Sequence, residues 1–201
     1  MKIHRFIGNH DLSQKIVEIL DPKIIKQIKD VLKLTAGDLI ILGDGKGQSA
    51  QVRLEKISRE SITGQVLEVQ TEKEIATQVH LYLAILKKEN FELAAQKAVE
   101  CGVSSITPII TERTIKTGLN ILRLEKIIRE ASEQCGRSLM PILFPISNFK
   151  DAVKEFKKTP TPGVGVPTEN VGIIFHPTGA PYVPNRSAKN SKIFVGPEGV
   201  F

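Results

Sequence analysis

The sequence contains no tryptophan and only two cysteines among its 201 residues. Cys101 and Cys135 form no spaced pattern with each other or with the four histidines, which argues against a disulfide scaffold and against a metal site. No apolar run approaches the ~20 residues of a membrane-spanning helix, and the N-terminus lacks the apolar block of a secretory signal. These absences predict a cytoplasmic protein that binds no metal and has no membrane partner.

Charges of both signs are abundant, and the net charge of +6 is concentrated in the second part of the chain. Residues 1–78 hold 12 Lys and Arg against 11 Asp and Glu, whereas residues 79–201 hold 16 against 11. A basic surface suits a polyanion such as RNA, because each cation near a phosphate releases counterions. Many proteins are mildly basic without binding nucleic acid, so charge alone favours that ordinary interpretation.

Short alternating apolar segments fill residues 38–70 and predict a small β-barrel or meander. Asp44-Gly45 and Lys46-Gly47 punctuate the first pair of strands, as in a hairpin whose turn needs positive φ. Before them, apolar residues at helical spacing predict one helix over residues 22–34. A polar stretch over residues 70–78 then predicts a domain boundary, which we place between residues 72 and 73.

Strands and helices alternate from Val79 onward, which predicts an α/β domain over residues 73–201 with a parallel sheet covered on both faces. The predicted strands are residues 79–86, 105–110, 140–146, 171–175 and 193–195. Helices are predicted between the first two strands, ending at Gly102, and over residues 121–137 and 148–158. Pro108 predicts a strand end or an edge strand, because proline has no N–H to donate.

Two glycine-containing loops follow predicted strands of this domain. They are His176-Pro177-Thr178-Gly179, after the strand that ends at Phe175, and Gly196-Pro197-Glu198-Gly199, after Val195. Carboxyl ends of parallel strands share one sheet edge, and glycine lets the backbone approach a ligand closely. Glu198 either holds a ribose hydroxyl or faces water. Taken alone, each loop is more typical of a plain turn than of a ligand site.

Taken together, several segments resemble the family of RNA methyltransferases that modify N3 of a uracil in small-subunit ribosomal RNA, which belongs to the SPOUT class. Their order and spacing carry the resemblance. The segments include Val31-Leu32-Lys33-Leu34, Gln96-Lys97-Ala98-Val99-Glu100-Cys101-Gly102-Val103, Thr111-Glu112-Arg113, Glu130-Ala131-Ser132-Glu133-Gln134-Cys135-Gly136-Arg137, His176-Pro177 and Val195-Gly196-Pro197-Glu198-Gly199.

The resemblance implies an N-terminal PUA-like β-barrel over residues 1–72 and a SPOUT-type α/β domain with a trefoil knot over residues 73–201. It also implies S-adenosyl-L-methionine as methyl donor, small-subunit ribosomal RNA or the assembled small subunit as partner, and a homodimer. By matching positions, the cofactor-binding residues are His176, Pro177, Gly196, Pro197, Glu198 and Gly199. The basic residues assigned to RNA binding are Arg5, Lys33, Arg113, Arg123 and Arg137.

The sequence departs from the family pattern at a few positions. Val200 replaces a glycine, Lys33 replaces an arginine and Gln27 replaces a histidine. The family also continues past the position of Phe201 through a helix, a strand and a further conserved run, so we expect the knot to be incomplete in this chain. We leave the catalytic base unassigned. The alternatives are an RNA-binding protein of the same fold that has lost methyl transfer, and an unrelated α/β nucleotide-binding enzyme.

Overall fold

The structure is a computed structural model of the chain, and it describes residues 3–72, 77–112, 114, 118–158, 170–174 and 188–196. The chain divides into two compact units, Met1–Glu74 with Ser132–Met140 (unit 1) and Ile75–Ala131 with Pro141–Phe201 (unit 2). The domain boundary between residues 72 and 73 stays a prediction. Within the described ranges, no helix is both long enough and apolar enough to span a bilayer.

Unit 1 is built on a five-stranded sheet of order β1-β3-β4-β5-β2, in which only the β1–β3 pair is parallel. Asp21 caps the first helix by accepting a hydrogen bond from the Lys23 N–H at 2.8 Å, and Pro22 occupies its first turn. The elements are β1 (His4–Ile7), β2 (Ile16–Ile19), α1 (Pro22–Lys26) continued by a π-helical turn (Gln27–Val31), β3 (Leu39–Gly43), β4 (Gln48–Ile57) and β5 (Ile62–Thr71).

One apolar cluster forms the core of unit 1 and takes residues from every strand and from the helix. In β4 the inward residues alternate, as a half-buried strand requires, and Ala50, Val52 and Leu54 are each at most 1% exposed. Because the two edge strands β1 and β2 contribute to the same cluster, the sheet wraps around a single core. The prediction of a small N-terminal β-domain, PUA-like in fold, is confirmed.

Unit 2 contains a sheet of order β10-β11-β6-β7-β8 in which all pairings are parallel, with β9 also paired to β7. The predicted α/β class with a parallel sheet is confirmed. The elements are β6 (Gln78–Ala84), α2 (Lys88–Glu100), β7 (Ser105–Ile110), α3 (Ile121–Cys135), β8 (Ile142–Leu143), β9 (Ser147–Asn148), α4 (Phe149–Lys158), β10 (Asn170–Ile174) and β11 (Asn190–Val195).

Side chains alternate along the sheet of unit 2 between two apolar clusters. In β6, Leu81 and Leu83 pack in the cluster that contains residues of α2 and α3, whereas Tyr82 and Ala84 pack in the cluster that contains residues of α4. Helices therefore cover both faces of the sheet, which is why β6 is apolar at almost every position.

Two predictions about the middle of this sheet are wrong. Pro108 lies on a strand with neighbours on both sides, and the predicted strand over residues 140–146 is interrupted between β8 and β9. The carbonyls of Ser104 and Ile106 accept hydrogen bonds from the β8 side of β7. The backbone nitrogen of Pro108, two residues after Ile106, faces the same side and has no hydrogen to donate. The proline is tolerated because β8 has ended there and β9 has not begun.

We expect Gly64→Ala to lower the free energy of unfolding by about 1–3 kcal/mol, because it overpacks the core. A Cβ at Gly64 would lie 2.5 Å from Cγ1 of Val52 and 2.9 Å from the Arg53 carbonyl oxygen. Urea unfolding followed by circular dichroism measures the effect. Gly118→Ala is the matched control, since its added Cβ meets nothing within 4 Å. Equal stability of the two variants would contradict this packing account.

We also expect acid to destabilise the chain through His80. Its Nδ1 lies 2.8 Å from the hydroxyl of Ser105, and burial, with a smaller contribution from Lys192, lowers its pKa below 6.5. The unfolded state then binds more protons than the folded state, so stability falls as the pH drops through the ordinary pKa of histidine towards the lowered one. His80→Gln should lose less stability between pH 7.5 and 5.5 than the wild type in urea unfolding. Equal losses would show that His80 does not titrate this way.

Candidate active site

The carboxyl ends of three neighbouring parallel strands meet at one edge of the unit 2 sheet. Ile174 of β10 lies opposite Phe194 of β11, and Val195 of β11 lies opposite Leu83 of β6. The last residues of β10, β11 and β6 therefore lie side by side. Among the predicted cofactor residues, the structure describes Gly196 at the end of β11. The others, His176, Pro177, Pro197, Glu198 and Gly199, lie outside the described residues.

The junction of β6 and β11 is a topological switch point. The chain proceeds from β6 to β7 and β8 on one side, whereas β10 and β11 lie on the other side of β6. Open α/β sheets bind ligands at such a point, outside the carboxyl ends of the strands. The same register places Gly196 beside Ala84, the last residue of β6, and residues 85–87 follow directly. This segment could not be recognised from the sequence, because strand order across a sheet leaves no local signal.

Aromatic rings hold these strand ends together. Phe194 is 2% exposed and stacks on Tyr82 with ring centroids 4.5 Å apart and an interplanar angle of 15°. Phe149, the first residue of α4, meets the same Phe194 ring edge-on at 5.9 Å and 88°. Such pairs contribute about 0.5–1.5 kcal/mol each beyond their buried area. They fix the last residues of β6 and β11 against one helix.

A cavity of about 500 Å³ opens at the end of β7, beside the first turn of α4. Ile110 and Phe149 supply its apolar surface. Its charged residues form exposed pairs with one another: Lys150 with Glu112 at 4.0 Å, and Lys154 with Asp151 at 3.6 Å. The volume lies within the range of small-molecule sites, and the cavity lies at the sheet edge from which the strand ends emerge.

The predicted RNA-binding residues fall in different settings. In unit 1, Nη1 of Arg5 donates to the Ser138 hydroxyl at 2.9 Å, and Arg137 directly precedes Ser138. Burial lowers the pKa of Arg5, an effect that Glu72 opposes. In unit 2, Arg123 donates through Nε and Nη2 to the Glu92 carboxylate at 2.6 and 2.9 Å, and that hydrogen bonding raises its pKa. Arg113 lies outside the described residues. These assignments stay predictions.

Lys33 adopts a left-handed backbone conformation, with φ of 54°, which glycine adopts more readily than other residues. It follows the π-helical turn at the position where a helix ends, and the next N–H, that of Leu34, donates back to the Ile28 carbonyl at 3.0 Å. A side chain in this region costs about 1–2 kcal/mol. The backbone is strained at a residue that we predicted to bind RNA, and such strain accumulates at functional sites.

Carboxylates that the sequence analysis did not select hold the segment Ser132–Met140 in unit 1. The Ile7 N–H donates to Oε1 of Glu133 at 2.7 Å. The N–H groups of Ser138 and Leu139 both donate to Oε2 of Glu72, at 2.5 and 3.0 Å. Each bond joins residues more than sixty positions apart, so no local pattern in the sequence could have indicated them.

Comparison with known families identifies the class to which this fold and site belong. Residues 72–201 match the family described as "RNA methyltransferase domain", and residues 20–67 match "RNA methyltransferase PUA domain". The chain belongs to this family of RNA methyltransferases. The resemblance stated from the sequence is therefore confirmed at the level of the family.

Individual relatives carry a more specific name. The chain is 26% identical over 156 residues to ribosomal RNA small subunit methyltransferase E of Rickettsia conorii, covering 77% of this chain and 64% of that protein. It is 34% identical over 131 residues to the protein of the same name from Mesomycoplasma hyopneumoniae, covering 61% of this chain and 52% of that protein. The chain thus spans between half and two thirds of the length of these relatives.

A solved structure shares the fold over the whole chain. The crystal structure of a ribosomal RNA small subunit methyltransferase E from Neisseria gonorrhoeae bound to S-adenosyl methionine superposes with a TM-score of 0.84 at 27% identity. The superposition covers 100% of this chain and 81% of the other.

We expect Lys33→Gly to move stability and RNA binding in opposite directions. The substitution relieves the positive φ and should raise the free energy of unfolding by about 1 kcal/mol, measured by urea unfolding. If Lys33 contacts a phosphate, the same variant should bind small-subunit ribosomal RNA more weakly and with a smaller salt dependence. Lys29→Gly is the control, since it removes a charge from the π-helical turn without relieving strain. Undiminished RNA affinity would refute the contact.

Proposed function

We propose that this protein transfers a methyl group from S-adenosyl-L-methionine to N3 of a uracil in small-subunit ribosomal RNA. The observation that carries the proposal is the meeting of the β10, β11 and β6 ends at the switch point of the sheet. The family match and the names of the relatives support ribosomal RNA as the substrate class. The Neisseria gonorrhoeae crystal structure, which is bound to S-adenosyl methionine, supports the donor.

The described residues fit this donor at the edge of the unit 2 sheet. Gly196 has no side chain, so its backbone can lie against a flat adenine or ribose without a Cβ between them. Residues 85–87, which follow the end of β6, offer further backbone groups that can hydrogen-bond a ligand, apart from the Ile85 N–H and the Lys87 carbonyl, which are bonded to Ile109 and Phe91. By resemblance, His176, Pro177, Pro197, Glu198 and Gly199 complete the cofactor site.

S-adenosyl-L-methionine supplies an electrophilic methyl group when it is bound. The chain's contribution is to bind and orient the partners, because a fixed approach of the reacting atoms removes much of the entropic barrier. The rings of Tyr82, Phe149 and Phe194 keep the strand ends rigid for this purpose. The proton on uracil N3 must leave before or during transfer, and we assign no residue to that step.

The proposed partner is small-subunit ribosomal RNA, free or in the assembled subunit, and the proposed setting is a homodimer in the cytoplasm. The match of residues 20–67 to an RNA methyltransferase PUA domain supports RNA contact by unit 1. The proposed contacts are Arg5, Lys33, Arg113, Arg123 and Arg137. The charge of residues 79–201 adds a non-specific attraction that weakens with salt.

Gly196→Val tests the proposal. The added side chain should abolish S-adenosyl-L-methionine binding in calorimetric titration and should abolish N3-methyluridine formation on small subunits, measured by nucleoside mass spectrometry. Gly118→Val is the control and should retain both activities, because its Cβ points into open space. An unaffected Gly196→Val variant would show that this segment is only a turn. RNA binding by the wild type without any methyl transfer would support the alternative, an RNA-binding protein of the same fold.

A further inference from the structure

Unit 1 carries a second pocket, on the face of its sheet opposite the core. Its volume is about 130 Å³. Arg5, Ile41, Gln51 and Glu68 form one continuous row across β1, β3, β4 and β5, each paired with the next. Their sequence neighbours Phe6, Leu42 and Ala50 point into the core, so the row lies on the outer face. Ser49 and Gln70 also line the pocket.

The pocket has a structural origin in the strands themselves. The β4–β5 register shifts between Gln51 and Val52, so that β5 has one extra residue, Leu67, between Glu68 and Val66. A β-bulge of this kind bends the strand and re-aims side chains, and bulges are over-represented beside functional sites. In the next row, Gly43 pairs with Ser49. Because these residues are small, the outer face of the sheet has a depression at this position.

One side of the pocket is held in place by the Ser132–Met140 segment. The Arg5 guanidinium donates to the Ser138 hydroxyl at 2.9 Å, and the backbone of Ser138 is itself bound to the carboxylate of Glu72. Gly47 N–H donates to the Ser138 carbonyl at 3.1 Å. Arg5 is therefore positioned before any ligand arrives, which lowers the entropic cost of binding.

The groups around the pocket are polar and complementary to an aromatic base. Arg5 presents a fork of N–H donors, of which one is bound to Ser138. Gln70 donates to Oε1 of Glu68 at 3.2 Å, which leaves the carboxylate as an acceptor for other donors. Within the described residues, the Gln51 amide and the hydroxyl of Ser49, a residue only 6% exposed, have no hydrogen-bond partner in the protein.

We propose that this outer-face pocket binds one unstacked nucleobase of single-stranded RNA, with guanine preferred. The volume fits a single base and is too small for a nucleotide pair or for the methyl donor. Unstacked bases are the usual target of sequence-specific RNA recognition. Guanine presents O6 to a guanidinium and its N1–H and N2–H to a carboxylate, so it satisfies Arg5 and Glu68 together. This inference rests on RNA being the substrate.

Titration of the ¹⁵N-labelled chain with free nucleotides tests it. Guanosine 5′-monophosphate should shift the side-chain amide signals of Gln51 and Gln70 and the Nε–H signal of Arg5 in a saturable way. It should bind at least about fivefold more tightly than uridine 5′-monophosphate, as expected for one well-formed base contact. Ribose 5-phosphate is the probe for phosphate binding alone and should leave the Gln51 and Gln70 signals in place.

Glu68→Gln should remove most of the preference for guanine, whereas Glu60→Gln, in an exposed turn, should leave it unchanged. Absence of saturable shifts with guanosine 5′-monophosphate, or an equal response to ribose 5-phosphate, would overturn the inference. S-adenosyl-L-methionine binding, titrated separately, reports on unit 2. If guanosine 5′-monophosphate causes no saturable shifts while S-adenosyl-L-methionine still binds, this inference is overturned and the proposed function stands.

Discussion

The register of β11 between β10 and β6 is the constraint on which the candidate active site depends. It aligns three carboxyl ends at one sheet edge and places Gly196 beside Ala84, the end of β6, which residues 85–87 follow. Phe194 stabilises this arrangement, because its buried ring stacks on Tyr82 in the neighbouring strand and contacts Phe149 of α4 edge-on. The same alternation that buries Phe194 on one face places Ile193 and Val195 on the other. A slip of one residue would reverse both faces.

The packing of unit 1 depends on a different interaction, in which carboxylates accept hydrogen bonds from backbone N–H groups. Glu72 accepts from Ser138 and Leu139, and Glu133 accepts from Ile7. Hydrogen bonds to charged acceptors contribute more than neutral ones, about 1.5–3 kcal/mol. They make the Ser132–Met140 segment a part of this unit, although it lies some sixty residues beyond the end of β5. Arg5, which was predicted from the sequence to bind RNA, thereby hydrogen-bonds Ser138 of this segment and also lines the outer-face pocket.

Local patterns in the sequence predicted the fold well, whereas the assigned site residues stay predictions. The apolar run of β6 and the helical spacing of α2 and α3 are properties of consecutive residues, and they appear where expected. The setting of Pro108 could not be predicted from the sequence, because the proline is tolerated at a gap between β8 and β9 that exists only in the assembled sheet. The role of residues 85–87 and the Glu72 contacts depend on distant pairing. The family resemblance supplied the cofactor residues, which composition and spacing alone left as ordinary turns.

Amide hydrogen exchange of the protein, with and without S-adenosyl-L-methionine, tests the central claim most directly. If the ends of β10, β11 and β6 form the donor site, the donor should slow exchange at Val195, Gly196 and residues 85–87 and leave the strands of unit 1 unchanged. Binding of the donor with protection elsewhere, and none at these strand ends, would contradict the account.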